Sequence, residues 1–324
     1  MKTIQFALRL SVTLSVTLLV AMAALSVGTQ LAEAQATPSP DGVPVKMVVT
    51  VASRHGSDMP NIGVQDVLVY QGRTRVKVTD WVPLQGDNAG LEFFILLDDG
   101  GDTSRGSRLD DVRNFIRAQP PTTKIGIAYM QTGGPKVEQA LTADHALAAK
   151  ALHISVGGLA NSASPYTSLT SLLKQWPAGN DHREVLMISN GVDGEIGDVA
   201  NLPGQQHDPY AETAIEKSQV AGVIAFTIDT SSPDSGTDLM NPSTHYLSQI
   251  AEETGGASYY NQAGAAISFA PYLDDLTHRL THQYLLTFLP KPQKKAGMQE
   301  VKVKTEVAHA ELVSADKVYV PAAR

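Results

Sequence analysis

Apolar and polar residues are arranged along this chain in three ways, and each marks a different region. Between Leu91 and Leu97 (LEFFILL) six of seven residues are apolar, with Glu92 the interruption. A continuous run of that length, rich in Phe and Ile, predicts a strand buried on both faces. It ends at Asp98-Asp99-Gly100-Gly101-Asp102. From about Ser107 onward, Leu109, Val112, Phe115 and Ile116 recur at helical spacing among charged residues, an amphipathic helix. Ser107 and Asp110 resemble a capping box, with Asp in place of Glu or Gln. The turn between strand and helix falls at the carboxyl end of a strand, where open α/β sheets place their ligands.

The same rhythm continues to about residue 282. Strands are expected at Lys124–Met130 and Glu184–Ser189, the latter ending on Asn190-Gly191-Val192-Asp193. Val223–Ile228, ending at Asp229, and Ala257–Tyr260 are two more, and Lys136–Ala140 reads as a short edge. Helices are expected at Ala143–Leu152, at Ser168–Trp176 between Pro165 and Pro177, and at Pro209–Val220. Two further helices are expected at Thr244–Glu253, before Gly255-Gly256, and at Ala265–Gln283. Strands alternating with long helices imply right-handed crossovers, hence an α/β fold with a doubly wound, mainly parallel sheet over residues 90–282.

On either side the period changes to two. Val45–Val51, Asp66–Tyr70 and Thr74–Val78, with a turn at Gln71-Gly72, read as strands in residues 45–89. Gln283–Leu289, Glu300–Val307 and Lys317–Val320 read the same way in residues 283–324, after a basic loop at Pro290–Gly297. Two short β-rich flanks are each marginal alone, so they are expected to pair into one small sheet that brings the two ends of the central region together.

The third pattern is the apolar stretch Leu10–Val27, preceded by Lys2 and Arg9 and followed by Ala32-Glu33-Ala34. It reads as a signal peptide over residues 1–34 with an A-x-A-like cleavage site, and residues 35–44 as a Pro-rich linker. An uncleaved amino-terminal membrane anchor is the alternative. The expected location is therefore periplasmic or secreted, or membrane-anchored if the segment is retained. The net charge of −8 would become −9 on cleavage, because residues 1–34 hold Lys2, Arg9 and Glu33. That charge is spread along the chain, which argues against nucleic acid and against any membrane contact beyond the leading segment. The chain has no cysteine, so disulfides, thiolate chemistry and cysteine zinc sites are excluded.

Buried strand, acidic turn, helix, a Thr-bearing loop, then a strand ending in a polar residue and Gly: this order resembles a von Willebrand factor A domain. Asp66-Val67-Leu68-Val69-Tyr70-Gln71-Gly72 resembles the D-F-x-V-x-E-D-G stretch preceding that domain in the VWFA-related secreted proteins of acidobacterial type. The strands around Val301–Val320 are similar to the tail of the same family. The resemblance implies an A-like domain over 90–282 and a metal-ion-dependent adhesion site of D-x-S-x-S, a Thr and an Asp. Asp98 matches the first Asp. Gly100 and Asp102 fall at the two Ser positions, Thr167 at the Thr position, and Asn190 at the late Asp. The implied binding residues are Asp98, Asp99, Gly100, Asp102, Thr167 and Asn190, and the implied metal ligands are Asp98, Asp102, Thr167 and Asn190. Oxygen donors of this kind suit Mg²⁺ or Ca²⁺, but the replacements leave a degenerate site for which no cofactor is expected.

Other residues carry less. His278 and His282 share a helical face, but no Glu or third ligand accompanies them. Asp229 and Asp234 flank a Ser-rich loop. There is no G-x-S-x-G and no glycine-rich phosphate loop. Trp176 and Tyr259-Tyr260 read as core or rim aromatics. The expected function is a non-enzymatic, exported protein-binding module, adhesive or scaffolding, whose partner the residues do not name. The alternative is an envelope hydrolase using Asp98 and Asp102 as an acidic pair.

Overall fold

The structure is a computed structural model that describes residues 43–54, 59–98, 106–154, 163–194, 208–230, 242–260 and 268–322. The expected signal segment lies outside the described residues. In chain order the first flank contains β1 (Val45–Ser53), β2 (Leu68–Gln71) and β3 (Thr74–Pro83). The centre runs β4 (Leu91–Asp98), α1 (Gly106–Ala118), β5 (Thr123–Met130), β6 (Lys136–Thr142), α2 (His145–Lys150) and α3 (Pro165–Gln175). It continues with β7 (His182–Ser189), α4 (Pro209–Ala221), β8 (Val223–Asp229), α5 (Pro242–Thr254), β9 (Ser258–Tyr259) and α6 (Ala270–Leu280). The last flank adds β10 (Gln283–Leu289), β11 (Gly297–Lys304), β12 (Ala310–Ser314) and β13 (Lys317–Val320).

The central sheet has the order β6-β5-β4-β7-β8-β9, parallel except for the antiparallel edge β6. Numbered from its own first strand this is 3-2-1-4-5-6, the doubly wound order of dinucleotide-type sheets. β4 lies in the middle, buried at seven of its eight positions, as its unbroken apolar run requires. Phe93, Ile95 and Leu97 face Leu109, Val112 and Ile116 of α1 and Leu273 and Leu276 of α6. Phe94 and Leu96 face Tyr166, Leu169 and Leu172 of α3, Ile215 of α4 and Ile250 of α5. The chain leaves β4 toward β5 and β6, then returns to build β7, β8 and β9 on the other side. The strand order therefore reverses between β4 and β7, which makes their carboxyl ends the crevice of the sheet.

The second sheet is antiparallel, ordered β12-β1-β10-β3-β2-β11-β13, and draws on both ends of the chain. Its core is formed by the inward-facing residues of alternating strands, among them Val49, Val51, Val69, Leu286, Phe288 and Val301. The α/β fold with an antiparallel sheet from the chain ends is therefore the architecture that the hydrophobic pattern predicts.

Several boundaries differ. The last helix begins at Ala270, not Ala265, and ends at Leu280, because Val51 N donates to His282 O at 2.9 Å and draws the chain into the sheet. α2 is shorter than expected: the Asp144 side chain caps it by accepting from Leu147 N. Asp110, the expected capping-box acid, accepts from Arg113 at 2.7 Å. β11 stops at Lys304, and the chain turns back through His309 at φ 63° to form β12, a strand without clear alternation in its sequence.

Candidate functional site

The crevice is built from the ends of β4 and β7 and the start of α3. Ser189, the last residue of β7, is buried; its Oγ donates to Asp98 Oδ2 at 3.3 Å and accepts from Gly191 N at 3.1 Å. Asn190 Oδ1 accepts from Val192 N at 3.0 Å, an Asx-type turn. Gly191 sits at φ 72°, a left-handed conformation that glycine adopts without steric cost. Thr230 N, after β8, donates to Ser189 O at 2.9 Å, so the third strand end is tied to the same residue.

α3 is stitched onto this loop. Ser164 is its N-cap and Pro165 opens the first turn, an arrangement that suits proline's fixed φ and missing N–H. Ser164 Oγ accepts from Thr167 N at 3.2 Å and donates to Asp193 Oδ2 at 2.8 Å. Thr167 Oγ1 donates to Ser164 O at 3.4 Å, and Tyr166 Oη donates to Gly191 O at 2.9 Å. Asp98 is thus linked through Ser189 and Gly191 to Tyr166, and Asp193 through Ser164 to Thr167.

Behind this lies a second acidic layer. Asp208 caps α4 by accepting from Tyr210 N at 2.9 Å and Ala211 N at 3.1 Å, while its own N–H donates to Tyr246 Oη at 2.7 Å. Asp229 ends β8 and is buried. Tyr166 and Tyr246 meet edge to face with centroids 6.1 Å apart. The Tyr166 phenol is pushed well above its ordinary range, first by burial and then by the negative charges of Asp208, Asp193 and Asp229. Burial raises Tyr246 as well. The crevice is consequently electronegative, with hydroxyls held neutral inside it.

Of the residues expected at the site, Asp98 belongs to the first of these chains and Thr167 to the second, while Asn190 turns back onto Val192 in the loop between them. Asp99, Gly100 and Asp102 lie outside the described residues, as does Asp234. Ser164, Ser189, Asp193, Asp208 and Tyr246 have no role that the hydrophobic pattern predicts. The signal for two of them was present: Ser164-Pro165 and Asp208-Pro209 are the same cap-then-proline start. The hydroxyl of Ser189 had no local signal, since its partner Asp98 is 91 residues away. His278 and His282 do stack, ring centroids 4.4 Å apart, but both are engaged at the end of α6, where His282 Nδ1 lies 2.7 Å from His278 O. Among the described residues no cluster of three or more His, Asp or Glu is placed to hold a metal.

The donor set around Asp98 is all oxygen, the chemistry of a hard cation. Its members are partly committed, however. Asn190 Oδ1 is turned back onto Val192 N, Asp193 Oδ2 takes the Ser164 hydroxyl, and one Asp98 oxygen takes Ser189. A divalent ion would have to displace these bonds to collect Asp98, Thr167 and Asn190, so the described residues fit it poorly.

No protein-family model matches the sequence, and no curated protein does. Solved structures do. An aerotolerance-related membrane protein from Bacteroides fragilis is 15% identical over 59% of this chain and 98% of its own, with a TM-score of 0.43. BatB from Bacteroides thetaiotaomicron is 14% identical over 59% and 98%, with a TM-score of 0.42. The VWA domain of SpRpn10 is 13% identical over 57% and 93%, with a TM-score of 0.38. With all three scores below 0.5, the α/β assignment stands on the strand order and on the helices covering both sheet faces.

Proposed function

We propose that this chain is an exported protein-binding module, adhesive or scaffolding, of the VWFA-related secreted type. It holds its partner with the loops at the carboxyl ends of β4, β7 and β8. The observation that supports this most is the pair of hydrogen-bonded chains, Asp98–Ser189–Gly191–Tyr166 and Asp193–Ser164–Thr167, that reach neighbouring residues of α3 at the point where the strand order reverses. Such a crevice is where doubly wound sheets bind ligands. Its polar atoms are fixed by neighbours, as a preorganised binding surface requires.

The proposal is for binding without catalysis. The two serines of the network, Ser164 and Ser189, give their hydroxyl protons to the carboxylates Asp193 and Asp98 rather than to a histidine. An ordinary carboxylate is too weak a base to activate an alcohol near neutral pH. The site is further proposed to work without a resident metal, as a degenerate adhesion site. Export rests on the leading segment; no described helix is long and apolar enough to cross a membrane.

The test is comparative capture. The chain without residues 1–34, immobilised and exposed to the envelope fraction of the exporting cell, is compared with Asp98→Ala and with a distant control, Lys291→Ala. The proposal expects one set of proteins retained by wild type and control and lost with Asp98→Ala. Equal retention by all three places binding elsewhere.

A further inference from the structure

At the opposite end of β7, where the parallel sheet meets the antiparallel one, Glu184 is completely buried. Its Oε1 accepts from Gln283 Nε2 at 2.6 Å, a contact from one sheet to the other across 99 residues of sequence. Gln283 is the first residue of β10 and pairs directly with Thr50 of β1. Glu184 Oε2 and Gln283 Oε1 lack a well-formed hydrogen bond among the described residues, although the His182 ring lies close enough to the Gln283 carboxamide to act on it.

The two carboxyl and carboxamide oxygens have one explanation. An ionised carboxylate only accepts, and a carboxamide oxygen only accepts, so neither can satisfy the other while Glu184 is ionised. A proton on Glu184 turns its second oxygen into a donor toward the carboxamide oxygen, and the acid and amide can then satisfy each other. Were the amide turned over, its oxygen would meet Glu184 Oε1 at the same short distance, a contact that again needs the proton. We propose that Glu184 and Gln283 form a proton-dependent latch, a neutral carboxyl paired with a carboxamide, that fastens the two sheets together and loosens when the proton leaves.

The surroundings agree. Across the sheet Glu184 is flanked by Phe93 on β4 and Ile224 on β8, neither of which can compensate a charge. On β7 itself the facing group is His182, whose Nε2 lies 4.0 Å from Glu184 Oε1. Glu92 of β4 is committed to Trp176 and Arg183. On α6, Asp275 and Arg279 bind one another at 2.7 Å, and His278 lies at the exposed end with His282. The adjoining cavity of about 540 Å³, which His182 also lines, carries the charged groups Lys46, Asp87, Asp181 and Lys317. Burial pushes Glu184 up to about 8 and pushes His182 down to about 4, so both are neutral near pH 7.

The test uses the wild-type chain, Glu184→Gln and Gln283→Met. Difference infrared spectra should show a protonated-carboxyl band at pH 7 that disappears with a midpoint near 8 and is absent from Glu184→Gln. In urea unfolding, the wild-type folding equilibrium should fall by up to about tenfold per pH unit between about 6.5 and 8, and Glu184→Gln should lack that fall. Gln283→Met removes the carboxamide that accepts from the protonated carboxyl, so the midpoint should move downward. An infrared spectrum with no such band at pH 7, an identical pH slope in wild type and Glu184→Gln, or a midpoint in Gln283→Met that stays put or rises would each overturn the latch.

Discussion

At the carboxyl end of the parallel strands, Asp98 and Asp193 are half-buried and accept from serine hydroxyls beside an open crevice. At the amino end, Glu92 and Glu184 are buried, each with a partner drawn from far along the chain, and the partner of Glu184 lies in the second sheet. Glu92 accepts from Trp176 Nε1 at 2.8 Å and from Arg183 Nε at 3.3 Å. Glu184 meets only a neutral amide and a nearby imidazole. Carboxylates near water can be re-partnered by an incoming molecule at modest cost, whereas sealed ones can only be broken. The difference suits the carboxyl end to the proposed recognition, while the Glu184 contact joins the two sheets at the other.

The comparison can be broken by substitution, the largest effect first. Glu92→Ala leaves the Trp176 indole N–H and the Arg183 Nε–H without an acceptor, and should cost about 4 kcal/mol in urea unfolding. A cost under about 1 kcal/mol would mean the amino end is no more demanding than the crevice. Gly255 follows. It adopts φ 87°, and an added Cβ would lie 2.6 Å from backbone atoms of Ser314 and Ala315 in the other sheet. Gly255→Ala should therefore cost about 3 kcal/mol. Gly222→Ala, at φ 65° with open space around it, should cost only about 1. Equal costs at the two glycines would show that backbone strain alone matters and that the sheets can part.

A pH series sharpens the same contrast. Glu184 holds its proton more tightly folded than unfolded, about 8 against 4.5, so its contribution is full below pH 4.5 and lost as pH rises to 8. His182 runs the other way, about 4 against 6.5, and its contribution is lost as pH falls from 6.5 to 4. The two nearly cancel from 4.5 to 6.5, a plateau. From 6.5 to 8 only Glu184 acts, and stability should drop by about 2 kcal/mol, at about 1.4 per unit. Stability that climbs across pH 6.5 to 8 would contradict the seam's electrostatics. Smallest is the crevice itself: Tyr166→Phe loses one buried bond to Gly191 O and should cost about 1 kcal/mol by thermal unfolding, while weakening partner capture. A loss above about 3 kcal/mol would make Tyr166 a structural post rather than part of a surface.

The architecture was legible because its signals are local. The run from Leu91 to Leu97 announced a central strand, whereas the helix expected from Ser168 begins at Pro165 with Ser164 as its cap. β12 escaped because its residues alternate poorly; backbone pairing with β1 makes it a strand. Glu92 read as an interruption in an apolar run, and its meaning came from Trp176, 84 residues on. The site was legible in the same uneven way. Asp98, Thr167 and Asn190 were named through the resemblance to an A domain, while the contacts of Ser189, Tyr166 and Asp193 emerge only where β4, β7 and α3 meet. Glu184 was equally silent, sitting at the edge of a strand whose next residues are apolar, with its partner in another sheet.

The central claim, a metal-independent binding crevice at the carboxyl ends of β4, β7 and β8, is tested most directly by measuring partner binding by wild type and Asp98→Ala in EDTA and in millimolar Mg²⁺ or Ca²⁺. A folded-state ligand at a hundredfold excess over its Kd would stabilise the chain by about 2.7 kcal/mol, so melting temperatures recorded in the same samples report whether an ion is held. The account predicts that wild type binds equally in EDTA and in either ion, with no clear melting shift, and that Asp98→Ala binds weakly in all. Binding by wild type that vanishes in EDTA, together with a melting rise of several degrees that Asp98→Ala abolishes, would contradict it.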